Sequence, residues 1–384
     1  MTVRVGFVGC GGRAVREMMD LVQMPNVTMA AMCDISEDRV AAGLARLNTR
    51  RGAGEQVSAP AFTDCRRMLD AVDLDAVYVG LPPFAHGAIE HTIIDAGKAI
   101  FIEKPLAVAM AVAKEIDAHI REKGVVNCVG YQWRYAGPME QAREMLANIP
   151  IGLLIAIRLG GLPATPWWRV QAQSGGMLIE QHTHSVDAMR YLAGDVATVY
   201  AAAATQLLGD VPNLDIADVN AASVTFVNGA IGSIVNSCAV AGQQMPNLSN
   251  AIHIVAKDLV LAASAGSLHV MRPKQERQEI KAESDDSNFK LNATFIKAVE
   301  TGDGSAIRSP YSDSLRTHAV TVAAVQSARE GRIVDVRVLL EGGGFRPPPF
   351  ALRTPTRTQS PRGPLPRPPS RRRRRSLRPG RSGG

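Results

Sequence analysis

VRVGFVGCGGRA, at positions 3–14, joins an apolar run to a set of closely spaced glycines. The run predicts a buried strand, and the G-x-G-x-x-A spacing from Gly9 to Ala14 predicts a tight turn into a helix. In such a turn the glycines permit the bend and let a pyrophosphate approach the backbone, whose N–H groups hold it. We therefore expect a dinucleotide site, the alternative being a glycine turn that holds no ligand. The expected contacts are Gly9, Gly11, Gly12 and Arg13.

A carboxylate stands where the second predicted strand ends. Asp34 comes 25 positions after Gly9, and it can accept hydrogen bonds from both hydroxyls of an adenosine ribose. The same negative charge would repel the 2′-phosphate of NADP. We therefore expect NAD to be preferred to NADP. A helix-capping role for Asp34 is the alternative.

Apolar runs and amphipathic stretches alternate over the first 125 residues. The runs are rich in Val and Ile without polar alternation, which indicates strands buried on both faces and hence a parallel sheet. Strand–helix alternation of this kind predicts an α/β fold, with a doubly wound Rossmann domain at residues 1–125. The strands are predicted at 3–9, 27–33, 75–81 and 98–102, and the first helices at 13–22 and 36–47.

The pattern changes after residue 125. A series of strands follows, and Asn228-Gly229 between two of them indicates a hairpin. This part predicts an α+β substrate and oligomerisation domain at 126–340, with a mostly antiparallel open sheet. Its helices are predicted at 175–194, 288–301 and 312–329.

The net charge of +7 comes from the C-terminal tail, residues 341–384. Positions 342–384 hold twelve Arg and no acidic residue, and without them the net charge is −5. A Pro/Arg/Gly/Ser-rich tail cannot build a core and is expected to be disordered. The run Arg371–Arg375 has two interpretations: a nucleic-acid or targeting patch, or arbitrary sequence read past the natural end, which we prefer. No nucleic-acid partner is expected.

The composition excludes several classes of protein. A hydrophobic content of 46% excludes disorder throughout. No apolar run approaches the ~20 residues of a membrane helix, and no export signal precedes the first strand, so no membrane partner is expected. Five dispersed cysteines without C-x-x-C pairs predict reduced thiols rather than a disulfide frame or a zinc site, and hence a cytoplasmic protein.

Glu103-Lys104-Pro105 follows the strand predicted at 98–102, at the edge where open α/β sheets bind ligands. Together with GLPPFAH at 80–86, this motif resembles the Gfo/Idh/MocA family, the glucose–fructose oxidoreductase and inositol dehydrogenase group. The resemblance runs from about residue 3 to residue 338. It implies that Lys104 is the catalytic proton donor or acceptor beside the nicotinamide, positioned by its two neighbours. The cofactor contacts expected here are Leu81, Pro82, Glu103, Lys104 and His86. A role as a helix cap fits His86 equally well.

A second segment that resembles the family is EQHTHSVD at 180–187, where the family usually has D-x-G-x-H-x-x-D. Glu180 and His184, at i and i+4, would share one helix face and point into one cleft. The resemblance implies that His184 is catalytic, with Glu180 in place of the usual Asp and His182 at the common Gly position. No metal site is expected, because His182 lies to the side of the shared face. A structural His184 bonded to a backbone carbonyl is the alternative.

Two aromatic segments with arginines complete the expected site. YQWRY at 131–135 resembles the Y-x-x-R-Y/F segment that lines the family's cleft, and PWWR at 166–169 resembles a W-R pair that reaches the nicotinamide or substrate. Aromatic faces with fixed donors suit a sugar ring. Arg134, Trp168 and Arg169 are therefore expected at the cofactor, whereas Trp167 fits a core position equally well.

These features predict an NAD-dependent oxidoreductase that oxidises a secondary hydroxyl of a sugar, an inositol-like polyol or a related small molecule. Lys104 would take the hydroxyl proton while hydride passes to the nicotinamide, and His184 would hold or relay the proton. The resemblance also implies a homodimer or homotetramer. Two other functions stay open: an NAD-using glycoside hydrolase of the same fold, and a non-catalytic dinucleotide-binding sensor, against which the intact Lys104 and His184 argue.

Overall fold

The computed structural model describes residues 2–51, 56–240, 250–284 and 286–341. The prediction of a disordered tail therefore falls outside the described residues, except for Glu341, which ends the last helix. Two sheets with their helices form this part of the chain, one of six strands and one of nine.

The first sheet consists of β1 (Val3–Val8), β2 (Val27–Cys33), β3 (Ala61–Phe62), β4 (Ala76–Val79), β5 (Ala99–Ile102) and β6 (Asn127–Val129). All six strands are parallel and lie in the order 3-2-1-4-5-6. The order reverses between β1 and β4, which is the switch point where doubly wound sheets bind ligands. The predicted fold of this part is confirmed. Its sheet extends past the boundary predicted at residue 125, because β6 is too short to be recognised as a strand of the same sheet.

The helices beside this sheet are α1 (Gly12–Leu21), α2 (Glu37–Arg51), α3 (Cys65–Ala71), α4 (Ala88–Asp95) and α5 (Met110–Lys123). In α1 the buried apolar residues Ala14, Val15, Met18 and Leu21 recur at helical spacing and form one face. That face packs in the same core as Phe7 of β1. The start of α1 is thereby fixed beside the end of β1.

The second sheet contains β7 (Ile151–Leu159), β8 (Val196–Ala204), β9 (Val219–Phe226), β10 (Ile231–Ser237), β11 (Ile252–Ala256), β12 (Leu259–Ala263), β13 (Ser267–Met271), β14 (Gln278–Lys281) and β15 (Val334–Asp335). Their order is 14-13-12-11-7-10-9-8-15. Every neighbouring pair is antiparallel except β7 with β10. The mostly antiparallel sheet is as predicted, and the Asn228-Gly229 turn joins β9 to β10, with Gly229 at a φ of +92°.

The remaining helices are α6 (Gly137–Leu146), α7 (Gln171–Ser174), α8 (Gly176–Glu180), α9 (Thr183–Ala193), α10 (Ser287–Thr301), α11 (Tyr311–Glu330) and α12 (Val336–Glu341). Although α10 follows the second sheet in the chain, it packs on the first. Phe295 of α10 meets the rings of Tyr78 and Phe101 edge-on, at 5.5 and 5.6 Å between centroids. Amphipathicity indicated this helix but did not show which sheet it covers. No helix in the described part of the chain is long and apolar enough to cross a membrane.

The single helix predicted at 175–194 is wrong, since the structure has two helices, α8 and α9, with a break between them. The N–H groups of Gln181 and His182 both donate to the carbonyl oxygen of Met177, so the regular hydrogen-bond ladder stops there. A new ladder starts when Val186 donates to the carbonyl of His182. Glu180 therefore ends one helix and His184 lies in the first turn of the next.

Candidate active site

The glycine turn lies between β1 and α1. Gly9 has a φ of +87°, and a Cβ there would stand 2.4 Å from the carbonyl oxygen of Gly80, so only glycine fits. A Cβ at Gly11 would meet no atom within 4 Å, which shows that the space beside this residue is open. Gly11 precedes α1 and supplies no side-chain cap. The first N–H groups of α1 can thus hold a pyrophosphate, which fits NAD.

Asp34 is half-buried just after β2, beside the glycine turn. Its carboxylate accepts hydrogen bonds from the N–H groups of Cys10 and Ile35, at 2.8 and 2.7 Å. At the start of α2 the hydroxyl of Ser36 accepts the hydrogen bond from the N–H of Arg39. Ser36 rather than Asp34 therefore caps this helix. The carboxylate lies where an adenosine ribose would follow the pyrophosphate.

Lys104 follows β5 and reaches the end of α8. Its Nζ lies 3.0 Å from both Oε1 and the main-chain oxygen of Glu180. Both side chains are nearly buried, with 12% of Lys104 and 8% of Glu180 exposed. Burial raises the pKa of Glu180 to about 6, against the opposing effect of Lys104. The second carboxylate oxygen of Glu180 is buried without a hydrogen-bond partner.

His184 lies between two aromatic rings, stacked on Trp133 at 5.9 Å and edge-on to Tyr131 at 6.0 Å between centroids. Burial and the neighbouring cations, led by Lys104, hold its pKa well below the usual range. The imidazole is therefore neutral at neutral pH. Its Nδ1 has no hydrogen-bond partner, so the alternative of a structural histidine held through this nitrogen by a backbone carbonyl is not observed.

His182 is fully buried and is held against the second sheet. Its Nε2 donates to the carbonyl oxygen of Val235 in β10, at 3.2 Å. Burial, reinforced by Arg158, lowers its pKa to about 3, which keeps the ring neutral. Among the residues that the structure describes, no cluster of His, Cys, Asp and Glu could hold a metal ion.

Arg13 has partners other than the expected pyrophosphate. Its Nε donates to Glu103 at 2.8 Å, and its terminal nitrogen lies 3.1 Å from carboxylate or amide oxygens of Glu17 and Asn288. The guanidinium thus ties α1 to the residue before Lys104 and to α10. Sequence could not show this, because Glu103 is ninety positions away.

Arg134 was expected at the cofactor, but the structure gives it a different place. Its guanidinium is buried and pairs with both carboxylate oxygens of Asp187, at 2.6 and 2.8 Å, and with Asp313 at 2.6 Å. It also donates to the carbonyl oxygen of Arg308. A guanidinium with three such partners has few donors left for a cofactor, and Arg134 ties the segment after β6 to α9 and to the start of α11.

The expected cofactor contacts Trp168 and Arg169 lie in a short helical turn at Pro166–Arg169. Trp168 is buried in a small apolar cluster, where it stacks on Trp167 at 5.5 Å and packs with Ile216. Arg169 is half-buried, and its carbonyl accepts from the N–H of Asp215. Trp168 thus packs in a core, with Trp167 partly buried beside it, and its contact with a cofactor stays a prediction.

Leu81, Pro82 and His86 surround a short helical turn after β4. Leu81 and Pro82 are half-buried, and the Leu81 side chain borders Gly9, beside the glycine turn. His86 is fully buried, with Nδ1 2.6 Å from the carboxylate of Glu90. It does not cap α4, because Glu90 itself accepts from the N–H of Gly87. Its contact with a cofactor stays a prediction.

A cavity of about 450 Å³ opens beside His184, and sequence reasoning missed most of its lining. Arg158 interrupts the otherwise apolar strand β7, and this interruption was the signal that could have revealed it. The cavity is lined by Arg16, Gln132, Trp133, Arg158, His184, Asn250, Ser264, Ala265, Gly266 and Ser287. Residues from both domains thus enclose one space next to the expected catalytic histidine.

Two family models match the chain. The one described as "Oxidoreductase family, NAD-binding Rossmann fold" covers residues 3–131. The one described as "GFO/IDH/MocA C-terminal domain" covers residues 139–261. Together they cover most of the described residues and confirm the resemblance on which the sequence analysis relied.

Similar proteins agree with these matches. An uncharacterized oxidoreductase YrbE of Bacillus subtilis is 26% identical over 60% of this chain and 66% of its own length. The myo-inositol 2-dehydrogenase of Thermotoga maritima is 24% identical over 61% of this chain and 68% of its own length. A solved structure of levoglucosan dehydrogenase with NADH and levoglucosan has a TM-score of 0.75 at 20% identity, over 88% of this chain and 100% of that one. The alignments with the two sequence relatives span about two thirds of the lengths of those relatives. The similarity to the levoglucosan dehydrogenase structure supports the fold.

Proposed function

Since the chain belongs to the Gfo/Idh/MocA family of oxidoreductases with an NAD-binding Rossmann domain, we propose that it oxidises a secondary hydroxyl of a sugar or polyol. The observation that carries this proposal is the pairing of Lys104 with Glu180 at the carboxyl edge of the first sheet. A neutral His184 lies close enough for the charge of Lys104 to lower its pKa. The related myo-inositol and levoglucosan dehydrogenases support a polyol or sugar as substrate.

The glycine turn and Asp34 would hold NAD across the switch point of the first sheet. The open space at Gly11 admits the pyrophosphate, and the carboxylate of Asp34 accepts from the ribose hydroxyls. When bound, NAD supplies the acceptor for the hydride that leaves the carbinol carbon. The chain's own residues must then move the hydroxyl proton.

We infer that Lys104 is the group that accepts this proton. Its Nζ lies at the edge of the cleft, and the carboxylate of Glu180 lies 3.0 Å away as the next acceptor. Because the pKa of Glu180 is about 6, its carboxyl can hold a proton near neutral pH. The ammonium of Lys104 can therefore first pass a proton to the carboxylate of Glu180, and the amine that remains can take the proton of the substrate hydroxyl.

His184 would orient the substrate. Its unprotonated nitrogen can accept a hydrogen bond from a second hydroxyl, and the Trp133 ring beside it offers an apolar face to a sugar ring. We expect its loss to raise KM more than it lowers kcat. A dominant loss of kcat would move the proton transfer from Lys104 to His184.

The test is a panel of sugars and polyols, each offered with NAD and with NADP, and followed by the absorbance of the reduced nicotinamide. Formation of NADH with at least one compound, lost in Lys104→Met, supports the dehydrogenase. Cleavage of a glycoside without net NADH would indicate the hydrolase of the same fold instead. Tight NAD binding without any turnover would indicate the sensor.

We also propose a homodimer or homotetramer formed through the second sheet. One face of this sheet leaves Tyr200, Ile231 and Val255 between 41% and 55% exposed. Exposed apolar residues on one face are typical of an interaction surface. Light scattering after size-exclusion chromatography tests this, and a monomer at micromolar concentration would contradict it. The cytoplasmic location stays a prediction.

A further inference from the structure

The cavity beside His184 has an unusual balance of charge. Its described lining holds two arginines, Arg16 and Arg158, and no Asp or Glu. Its volume of about 450 Å³ lies in the range of roughly 300–1,000 Å³ that is typical of sites for one small molecule. A neutral polyol needs no such cation, so the arginines suggest a further property of the substrate.

Arg158 lies on the inner face of the second sheet. It follows Leu154 and Ala156 at alternate positions of β7, and both are fully buried. Arg158 is itself half-buried, and burial lowers its pKa. A cation is therefore held in a place where water solvates it poorly.

One carboxylate, that of Glu180, acts on the charge of Arg158, but only from beyond ion-pair distance. One terminal nitrogen donates to the amide oxygen of Asn250 at 2.8 Å, and no carboxylate of the described residues lies within ion-pair distance of the guanidinium. Across the sheet, Asn236 of β10 is the register partner of Arg158, and its side-chain nitrogen is buried without an acceptor. Both residues thus have donor capacity that no described acceptor satisfies.

The rest of the cavity suits hydroxyl groups. Gln132 has a buried amide oxygen without a partner, and the hydroxyl-bearing Ser264 and Ser287 also line the space. The ring of Trp133 can cover the apolar face of a sugar. The lining therefore combines groups that suit hydroxyls with a guanidinium that suits an anion.

We propose that the substrate is an acidic sugar or polyol of about hexose size, whose carboxylate pairs with Arg158 while its hydroxyls face Lys104 and His184. This rests on the proposed function and names the substrate class. A guanidinium binds a planar carboxylate through two parallel hydrogen bonds. A monoanion matches one guanidinium that has no ion pair among the described residues, whereas a phosphate would bring a charge of about −1.5 to −2. Arg16 has contacts of its own and is not required to take part.

The first experiment measures binding without cofactor. The probes are three acids and their neutral counterparts: D-glucuronate with D-glucose, D-galacturonate with D-galactose, and D-gluconate with D-glucitol. D-Glucose 6-phosphate tests the phosphate alternative. Binding is followed by calorimetry and by tryptophan fluorescence, since Trp133 lines the cavity. We expect at least one acid to bind roughly 10- to 100-fold more tightly than its neutral partner.

The variants assign this preference to Arg158. Arg158→Gln should remove it, Arg158→Lys should keep part of it, and Arg66→Gln, on the exposed face of α3, should leave it unchanged. Melting curves of each variant show whether it folds. If Arg158→Gln does not fold, the inference is tested by whether the unmodified protein prefers acids to their neutral counterparts and whether Arg158→Lys keeps part of that preference. Equal binding of acids and neutral partners, a preference that survives Arg158→Gln, tighter binding of the phosphate, or no binding of any probe would each overturn the inference.

Turnover with NAD separates the inference from the proposed function. Oxidation of neutral polyols without any preference for acids would support the dehydrogenase and overturn the acidic substrate. Binding of an acid through Arg158 without formation of NADH would support the anion site and contradict the dehydrogenase. Oxidation of an acid, reduced about 10- to 100-fold in kcat/KM by Arg158→Gln, would support both.

Discussion

The broken helix α8–α9 carries two clusters of buried charge that differ in how fully their hydrogen bonds are satisfied. At the break, Glu180 pairs with Lys104 through one oxygen, while its other oxygen and Nδ1 of His184 have no partner. Less than one turn later, both oxygens of Asp187 accept from Arg134, and the hydroxyl of Thr317 adds a third bond at 2.9 Å. Unsatisfied buried groups are rare and call for an explanation, and a catalytic role is one. The first cluster therefore has the character of a site, and the second that of a scaffold.

The two clusters also show how burial and neighbouring charges compete. At Glu180 burial raises the pKa to about 6, because the charges of Lys104 and Arg158 do not outweigh it. At Asp313, in the second cluster, burial acts in the same direction, but the charges of Arg190 and Arg134 outweigh it and lower the pKa to about 2. Both arginines contact Asp313 directly, whereas only Lys104 contacts Glu180, and this difference decides which effect wins. A carboxyl that titrates near neutral pH can exchange protons, whereas one with a pKa near 2 stays charged.

The largest expected effect is the loss of activity in Lys104→Met. Methionine keeps much of the apolar stem and removes the amine, so kcat should fall by about 10²–10⁴-fold, the usual contribution of general acid–base catalysis. NAD affinity and the melting temperature should change little. Lys98→Met, just before β5 at the opposite end of the strand, is the matched control and should keep its kcat. Activity of Lys104→Met within about threefold of the unmodified enzyme would falsify the mechanism.

A substitution in the second cluster, the scaffold, should lower the free energy of unfolding rather than kcat. Asp187→Asn leaves the buried guanidinium of Arg134 without its main counter-charge, and breaking a buried pair costs about 3–5 kcal/mol. Urea unfolding at pH 7 measures this loss. Asp210→Asn, at an exposed position, is the control and should change the free energy of unfolding by less than about 0.5 kcal/mol. If Asp187→Asn kept its free energy of unfolding but had a much lower kcat, the assignment of the second cluster to the scaffold would be contradicted.

The sequence predicted those residues of the candidate site that depend on local patterns. The glycine turn, Asp34 at a strand end, and Lys104 after β5 could be recognised because the turn and the strand edge are local features. The break after Glu180 could not, because it depends on two N–H groups sharing the carbonyl of Met177. The partners of Arg134 lie more than fifty positions away, and only the folded chain shows that they take its hydrogen-bonding capacity.

The pH dependence of stability should have opposite signs in the two clusters. The pKa of Glu180 rises from 4.5 to about 6 on folding, so the folded state holds this proton more tightly, and stability is lost as the pH rises through that range. The difference corresponds to up to about 2 kcal/mol. For Asp313 the folded pKa is lower than 3.8, so its contribution is lost as the pH falls towards 2.

Paired unfolding curves from pH 2 to 8 test both signs. Glu180→Gln should lack the loss between about pH 4.5 and 6, and Asp313→Asn should lack the loss below pH 3.8. The profile of kcat/KM should also lose an ionisation near pH 6 in Glu180→Gln. If the free energy of unfolding depended on pH in the same way in Glu180→Gln and Asp313→Asn, the two clusters would not differ in their electrostatics.

The smallest expected effect concerns the carboxylate of Asp34, which lies outside both clusters. It belongs to the candidate site because of its charge rather than because of unsatisfied hydrogen bonds. It accepts from two backbone N–H groups, and no ion pair of the described residues involves it, so its charge faces the open space beside the glycine turn. This charge should favour NAD over NADP by about tenfold or more, since one uncompensated repulsion is worth at least about 1.4 kcal/mol. Asp34→Ser combined with Ile35→Arg should narrow or reverse the preference, because the exposed position 35 can bring a guanidinium to the 2′-phosphate. Binding of both cofactors, measured by calorimetry, checks this. Tighter binding of NADP than of NAD by the unmodified protein would contradict the role of Asp34.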